Sequence, residues 1–236
     1  MADTPSVLSF DVVGTLIDFE TGMLNYLRHA CRNELAAIDD DMFLAAYRTS
    51  RKNPDVIKYP DDLVRVYFEL APHFGLPQDS AIAEGFRASV KDWPAFADSV
   101  VALKRLKSRC KLVAMTNAQR WALDHFAATL GEPFDDTVTV DEAGCEKPDP
   151  RFFAFTLGRL SRDGHGLHDV MHVAQSQYHD IGVARQLGYT VCWIERRAGK
   201  ADSGGTIDST LTQPDYRFTS LAGLADAFEA GEIRMK

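Results

Sequence analysis

Short apolar runs typical of β-strands alternate along this chain with segments of helical periodicity. The candidate strands are residues 7–11, 111–116, 170–174 and 190–194. Candidate helices lie between them, at residues 99–107, 121–130, 151–160 and 181–187. Alternating strands and helices are typical of βαβ units, whose strands lie parallel in one sheet. The chain therefore predicts an α/β fold with a doubly wound parallel sheet.

About a hundred residues separate the first two candidate strands, far more than one crossover connection uses. Helical segments fill much of this gap, at residues 22–36, 41–52, 61–70 and 80–90. Because proline disfavours helix at the residue before it, Trp93-Pro94 marks the return to the sheet. We therefore expect a core domain of residues 1–20 and 93–236, with an inserted all-helical cap domain of residues 21–92.

The alternation resumes after a long loop near the C-terminal end. Residues 198–214 are rich in Gly, Ser, Thr and Asp, as exposed or functional loops are. A short late strand is predicted at residues 214–218. Ser220 is a candidate N-cap, so residues 220–229 predict a last helix.

Composition limits the functions that we consider. The chain has 236 residues, of which 45% are hydrophobic, enough to bury a core. Its formal net charge is −8 with scattered basic residues, so we expect no nucleic-acid partner. Its four cysteines form no CxxC pair, so we expect reduced thiols and no structural zinc. With no leader and no apolar run of about 18 residues, we expect a cytoplasmic protein with no membrane partner.

Polar side chains follow the candidate strands at their carboxyl ends, where open parallel sheets bind ligands. A carboxylate at the end of the first strand, followed by a glycine turn, is a candidate nucleophile. The residues at these positions are Asp11 and Thr15, Thr116 and Asn117, Lys147 before a helix, and Ser176, Gln177, His179 and Asp180. Each cluster alone also fits a turn or a helix cap, and only their order and spacing point to chemistry.

Individual residues keep structural alternatives. Asp11 could cap a turn, and Lys147 could be an ordinary surface cation. Asp180 could satisfy a helix N-terminus, a role compatible with catalysis. For His179, a base beside Asp180 and a locally packed side chain are both open.

Taken together, these clusters resemble the motifs of the haloacid dehalogenase superfamily of hydrolases. The resemblance extends from about Val7 to Leu221 and implies a Rossmann-like core with a helical cap. It implies that Asp11 is the nucleophile and Thr116 the hydroxyl of the second motif. Lys147 then corresponds to the cation of the third motif, and Asp180 to the acid of the fourth.

Two departures from the superfamily pattern bear on metal binding. Its phosphatases usually carry an acid two residues after the nucleophile and another in the fourth motif, and here Val13 and Gln175 stand there. Neither is a good ligand for a hard cation that prefers carboxylates. We therefore expect no metal and no other cofactor. A magnesium-dependent phosphatase is one alternative; a non-catalytic binding protein, which predicts loss of Asp11 or Lys147, is another.

The pattern is closer to the 2-haloacid dehalogenase branch, whose fourth motif reads Ser-Ser-Asn-x-x-Asp. Residues 175–180 are a variant of that string. The Tyr178-His179-Asp180 segment and residues 90–96 are similar to the L-azetidine-2-carboxylate hydrolase type. This implies a small carboxylate substrate from which Asp11 displaces a halide or ring amine at C2. Phe153 replaces a tyrosine that is common in true haloacid dehalogenases.

The resemblance implies further roles around the nucleophile. Backbone N–H groups of Val12 and Val13, together with Thr116, would stabilise an oxyanion. Thr15, Ser176 and Gln177 would position Asp180 and the substrate, and Asn117 belongs to the second motif. On the cap, Arg48 matches an arginine that contacts the substrate or leaving group, and Arg51 is an equal alternative. Relatives are often dimers, so the resemblance allows a homodimer.

Overall fold

The computed structural model describes residues 4–31, 39–53, 55–200 and 202–235. Within them lies a six-stranded, all-parallel sheet in the order β3-β2-β1-β4-β5-β6. The strands are β1 (Val7–Phe10), β2 (Lys111–Thr116), β3 (Asp136–Thr139), β4 (Val170–Ala174), β5 (Thr190–Ile194) and β6 (Tyr216–Phe218). The order in which strands are added reverses at β1 and β4: β2 and β3 lie on one side of β1, and β4, β5 and β6 lie on the other. Open α/β sheets bind ligands beyond the carboxyl ends of such a strand pair.

The predicted doubly wound parallel sheet is confirmed, with one strand missed. Strands β2, β4 and β5 have the predicted bounds, and β1 ends one residue earlier than expected. Strand β3 was not predicted because its four residues, Asp-Thr-Val-Thr, lack an apolar run. It lies at the sheet edge and is only half buried, so its sequence resembles a loop.

Helices between β1 and β2 occupy the predicted cap region. They are α1 (Phe19–Ala30), α2 (Asp40–Ser50), α3 (Leu63–Leu70) and α4 (Ser80–Ala88), followed by a 3₁₀ turn, Ser89–Asp92. Asp18, Asp39 and Asp79 accept hydrogen bonds from the first-turn amides of α1, α2 and α4, which explains where these helices begin. The predicted helix 22–36 lies partly outside the described residues, beyond residue 31.

The chain enters and leaves the cap region through two adjacent segments. Ile17 and Ala95 form an antiparallel bridge, and the Asp18 amide donates to the Pro94 carbonyl at 2.8 Å. Trp93 is buried beside this crossing, and a Cβ on Gly22 would lie 2.4 Å from its indole. The close approach of α1 to this ring therefore requires glycine. The domain boundaries at residues 20–21 and 92–93 stay a prediction.

The remaining helices pack on the two faces of the sheet. They are α5 (Ser99–Lys107), α6 (Arg120–Thr129), α7 (Val140–Ala143), α8 (Pro150–Arg162), α9 (Gly182–Gln186) and α10 (Leu221–Glu229). The predicted helix at 181–187 is preceded by a single π-helical turn, Gln177–Ile181. Ser220 caps α10 as predicted, through the Gly223 amide. No helix in the described part of the chain has the length and apolarity needed to cross a membrane.

Candidate active site

Asp11 lies directly after β1, and both of its carboxylate oxygens accept hydrogen bonds. Oδ1 accepts from Lys147 Nζ at 2.9 Å, and Oδ2 accepts from the Thr15 hydroxyl at 2.7 Å. Gly14 has a φ of +88°, a left-handed conformation that bends the chain so that Thr15 can reach back to Asp11. Thr15 Oγ1 in turn accepts the Gln175 amide at 2.9 Å. The loop after β1 is thereby tied to the loop after β4.

Lys147 is a buried cation between two carboxylates. Its ammonium donates to Asp11 Oδ1, to Asp180 Oδ1 at 2.6 Å and to the Met115 carbonyl at 2.7 Å, which uses its three hydrogens. Asn117 holds the lysine backbone from both sides. Its Nδ2 donates to the Lys147 carbonyl at 2.8 Å, and its Oδ1 accepts the Lys147 amide at 2.7 Å.

Asp180 is fully buried in the π-helical turn after β4. The Ser176 hydroxyl begins this turn by accepting the His179 amide at 3.0 Å. Oδ1 of Asp180 accepts from Lys147 and lies 3.0 Å from His172 Nε2. Oδ2 is buried and has no hydrogen-bond partner among the described residues. An unpaired carboxylate oxygen beside a cavity is a site for a water molecule or a substrate group.

The two carboxylates differ in their electrostatic surroundings. Burial raises the pKa of Asp11 against the opposing effect of Lys147. Burial also raises the pKa of Asp180, but the charge of Lys147 and the hydrogen bond from His172 outweigh it and lower that pKa to about 2. Burial disfavours the charged form of Lys147, yet the two carboxylates raise its pKa overall. Asp180 and Lys147 are therefore charged at neutral pH.

A cavity of about 100 Å³ opens over these groups. The core contributes Asp11, Val13, Thr116, Asn117, Ala118, Lys147, Gln175, Ser176, His179 and Asp180 to its wall. The cap region contributes Phe19, Tyr47, Arg51 and Tyr59, and the loop before β6 contributes Gly205, Thr206 and Ile207. Sequence patterns had not identified the three aromatic residues, because nothing in their spacing distinguishes them from ordinary core positions. The three loop residues belong to the segment 198–214, which was predicted as an exposed or functional loop.

Four predicted site residues lie outside this cavity wall. Val12 is fully buried, and its carbonyl accepts from the Leu16 amide. Thr15 lies behind Asp11. Gln177 Oε1 accepts the Thr212 amide at 2.9 Å. Arg48, expected at the substrate or leaving group, instead donates to the Gly204 carbonyl and pairs with Asp208.

Arg51, the alternative to Arg48, lines the cavity with a side chain that is 13% exposed. It donates to Asp62, which also accepts two hydrogen bonds from Arg65. Arg65 also donates to Glu69, and the charges of Asp62 and Glu146 both act on Arg51. The Arg51 guanidinium lies 5.4 Å from the centre of the Tyr59 ring, whose hydroxyl is buried without a partner among the described residues. Of the two arginines predicted for substrate contact, Arg51 is therefore the one that the cavity wall contains.

The residues around Asp11 do not fit a magnesium ion. Val13 brings an alkyl group, and Gln175 brings an amide whose Oε1 already accepts from Thr206 at 3.2 Å. Both oxygens of Asp11 are occupied by Lys147 and Thr15. Within the described ranges, no three His, Cys, Asp or Glu side chains are grouped so as to hold a metal.

Curated proteins match part of this chain in sequence. An (S)-2-haloacid dehalogenase of Pseudomonas sp. (strain YL) is 26% identical over 160 residues, or 66% of this chain. The matched region spans 65% of that relative's length. An (S)-2-haloacid dehalogenase 1 of Pseudomonas sp. (strain CBS-3) is 28% identical over 197 residues, which cover 79% of this chain and 83% of the relative.

Solved structures show the same fold. An L-2-haloacid dehalogenase from Xanthobacter autotrophicus matches with a TM-score of 0.75 and 17% identity, over 95% of this chain and 98% of that one. A family model described as haloacid dehalogenase-like hydrolase matches residues 5–188. That match covers most of the chain and includes Asp11, Lys147 and Asp180. This chain therefore belongs to the haloacid dehalogenase-like hydrolase family.

Proposed function

We propose that this chain is a metal-independent hydrolase of small 2-substituted carboxylates, in which Asp11 displaces a halide or a ring nitrogen from C2. The observation that carries the proposal is the Lys147 ammonium, which bonds one oxygen of Asp11 and one of Asp180 in a buried site. The names of the Pseudomonas relatives support halide as a leaving group. The resemblance in Tyr178-His179-Asp180 supports a ring amine.

In the first step a carboxylate oxygen of Asp11 attacks C2 from the side opposite the leaving group. A C–O bond forms, and the C2–halogen bond breaks with both electrons leaving on the halide. A ring amine that is already protonated leaves as a neutral amine. Lys147 favours the ionised form of Asp11, and Thr15 fixes its orientation. One displacement at C2 predicts inversion of configuration there.

In the second step water cleaves the ester on Asp11. The water attacks the carboxyl carbon of Asp11 and gives a proton to Asp180, whose unpaired Oδ2 is the acceptor. The bond to the ester oxygen then breaks as Asp180 returns its proton to the departing alkoxide, which frees a 2-hydroxy acid. Asp11 regains its carboxylate by losing the remaining proton to solvent. We assign oxyanion stabilisation to the N–H groups of Val12 and Val13 and to Thr116. The Thr116 oxygen accepts the Ala118 amide at 3.2 Å, so its hydrogen is available to donate.

We assign recognition of the substrate carboxylate to Arg51. Its guanidinium donates to Asp62 through Nη1, and its side chain lines the cavity. Guanidinium–carboxylate hydrogen bonds are among the stronger ones in proteins. Phe19, Tyr47 and Ile207 enclose the rest of the small cavity, which suits a substrate of few carbon atoms.

The phosphatase alternative needs groups that these positions do not supply. A phosphate ester leaves as an alkoxide, which an acid must protonate, and the alkyl side chain of Val13 holds no proton to give. Magnesium binding would draw on carboxylates, and Gln175 provides none. The binding-protein alternative predicts loss of Asp11 or Lys147, but both are present and hydrogen-bonded to each other.

The test is turnover with EDTA present and no metal added. We expect the protein to release chloride from (S)-2-chloropropionate or to open the ring of L-azetidine-2-carboxylate. After an acid quench, intact mass should show an adduct that maps to Asp11, and Asp11→Asn should abolish both signals. Failure on both substrates, with magnesium-dependent phosphate release from a general phosphate ester, would replace the proposal with the phosphatase alternative.

A further inference from the structure

His172 is a buried histidine in the middle of β4 to which the proposed reaction gives no part. It is fully buried and lies opposite Ser9 of β1 in the sheet register. Its Nδ1 is 2.9 Å from the Ser9 hydroxyl, and its Nε2 is 3.0 Å from Asp180 Oδ1. A line of hydrogen bonds therefore runs from the interior of the sheet to the carboxylate that faces the cavity.

The chemistry of these groups determines one hydrogen position. An ionised carboxylate only accepts, so His172 Nε2 must carry the hydrogen that lies between it and Asp180. The Ser9 hydroxyl can donate or accept, so it satisfies Nδ1 in either protonation state of the ring. The imidazole thus donates to Asp180 whether it is neutral or charged.

Packing holds the imidazole ring in place. Phe153 contacts it edge-on, with ring centres 5.4 Å apart and planes at 78°. Tyr189 lies on another side at 6.5 Å and donates through its hydroxyl to the Phe153 carbonyl at 3.3 Å. Phe153 has no hydroxyl to offer to the network, and the donor to Asp180 comes from His172 instead.

Resting on the function proposed above, we infer that His172 is a positioning residue for ester hydrolysis, which aims the free oxygen of Asp180 at the water. Oδ1 of Asp180 receives two donors, Lys147 and His172, while Oδ2 receives none. The terminal torsion of an aspartate is broad, so a single bond from Lys147 would leave the carboxylate free to rotate. The second donor fixes its plane.

This role affects the two chemical steps unequally. Attack on C2 uses Asp11, which Lys147 and Thr15 hold without His172. Hydrolysis of the ester uses Oδ2 of Asp180. Loss of the His172 bond should therefore slow the second step, leave the first nearly unchanged, and cause the ester on Asp11 to accumulate.

Two variants of similar polarity test the inference. The amide of His172→Gln reaches the position of Nε2, whereas that of His172→Asn reaches only the position of Nδ1. With (S)-2-chloropropionate, rapid quench would follow chloride and 2-hydroxypropionate separately, and intact mass would give the ester fraction. For His172→Asn we expect the rate of chloride release in the first turnover to stay within about threefold of wild type. Release of 2-hydroxypropionate should slow about 30-fold, part of the roughly 10²–10⁴-fold that general-base assistance contributes. His172→Gln should restore most of that rate.

Ser9→Ala keeps the imidazole but removes its outer hydrogen bond, and it should slow product release about threefold, as a lost neutral hydrogen bond would. This variant tests the inference even if the histidine variants do not fold. His73→Gln, at an exposed cap position, is the control. If His172→Asn slowed both chemical steps equally, the inference alone would be overturned. The same would follow if the release of 2-hydroxypropionate were unchanged in both His172→Asn and Ser9→Ala. A wild-type protein with neither turnover nor adduct would overturn the proposed function and the inference with it.

Discussion

The core wall and the cap wall of the cavity are built in different ways. On the core side, Lys147 has all three hydrogens donated to Asp11, Asp180 and Met115, and the loops that carry these groups are tied to each other. On the cap side, Arg51 donates to Asp62, a carboxylate that also accepts from Arg65. The Tyr59 hydroxyl has no hydrogen-bond partner among the described residues. The polar groups of the core wall are therefore fixed by one another, whereas the cap wall holds a polar group without a hydrogen-bond partner in the described part of the chain.

The loop before β6 forms a third wall that depends on the cap. Arg48 on α2 donates to the Gly204 carbonyl and lies 3.2 Å from Asp208. Glu20 on α1 accepts the Gly205 amide at 2.8 Å. A Cβ on Gly205 would lie 2.7 Å from the Phe19 ring. The shape of the cavity at this wall is thus set by contacts between distant segments, whereas the two carboxylates proposed for the reaction follow the adjacent strands β1 and β4.

Loss of the central cation should have the largest effect. Lys147→Met leaves Asp11 and Asp180 buried together without a counter-charge. We expect kcat to fall by on the order of 10⁴-fold or more, as for other members of a catalytic unit. Leaving buried charges unpaired should cost about 3 kcal/mol of unfolding free energy, measured by urea titration. Lys104→Met, at an exposed site on α5, is the control. Near-normal turnover of Lys147→Met would mean that the hydrogen bonds of Lys147 in the core wall are not needed for the reaction, and the contrast with the cap wall would fail.

The difference between the walls also explains what could be predicted from sequence. Asp11, Lys147 and Asp180 follow strands or precede a helix, so their convergence follows from parallel topology. The choice between Arg48 and Arg51 depends on the contact between Arg48 and Gly204, which lie 156 residues apart in the chain. No local sequence pattern indicates that contact. His172 was missed because one histidine within an apolar strand resembles an ordinary core residue.

Removal of Arg51 should raise the Michaelis constant, which tests the role assigned to the cap wall. Arg51→Ala deletes the cation assigned to the substrate carboxylate while Asp62 keeps Arg65. Losing a charge-assisted hydrogen bond of about 2 kcal/mol should raise KM about 30-fold, with a smaller change in kcat. Steady-state kinetics with (S)-2-chloropropionate would measure this. An unchanged KM would mean that another group binds the carboxylate.

Removal of Arg48 should have a smaller and different effect. Arg48→Ala frees the loop at Gly204 and Asp208 but leaves Arg51 in the cavity wall. We expect KM for (S)-2-chloropropionate to rise less than about fivefold, the scale of one hydrogen bond. Activity on longer 2-chloro acids, relative to that on (S)-2-chloropropionate, should increase, because Thr206 and Ile207 could move away from the cavity more easily. If Arg48→Ala raises KM more than Arg51→Ala does, the two arginines have the opposite assignment.

Protonation of His179 should affect stability and have the smallest influence on turnover. Burial lowers the pKa of His179 to about 4, against about 6.5 in an unfolded chain. Between these values the unfolded chain binds the proton and the folded one does not, so stability falls as pH drops from about 6.5 to about 4. His179→Asn should remove this part of the slope, measured by urea unfolding at several pH values, whereas His73→Asn should not. Equal slopes in wild type and His179→Asn would contradict the neutral, buried imidazole.

Transfer of oxygen from water tests most directly whether Asp11 forms the ester. With the enzyme in excess over (S)-2-chloropropionate in oxygen-18 water, each active site turns over once. An aspartyl ester predicts unlabelled 2-hydroxypropionate of inverted configuration, with oxygen-18 in the peptide that contains Asp11. Label in the product after this single turnover, with none in Asp11, would show that water attacks C2 directly and would contradict the account.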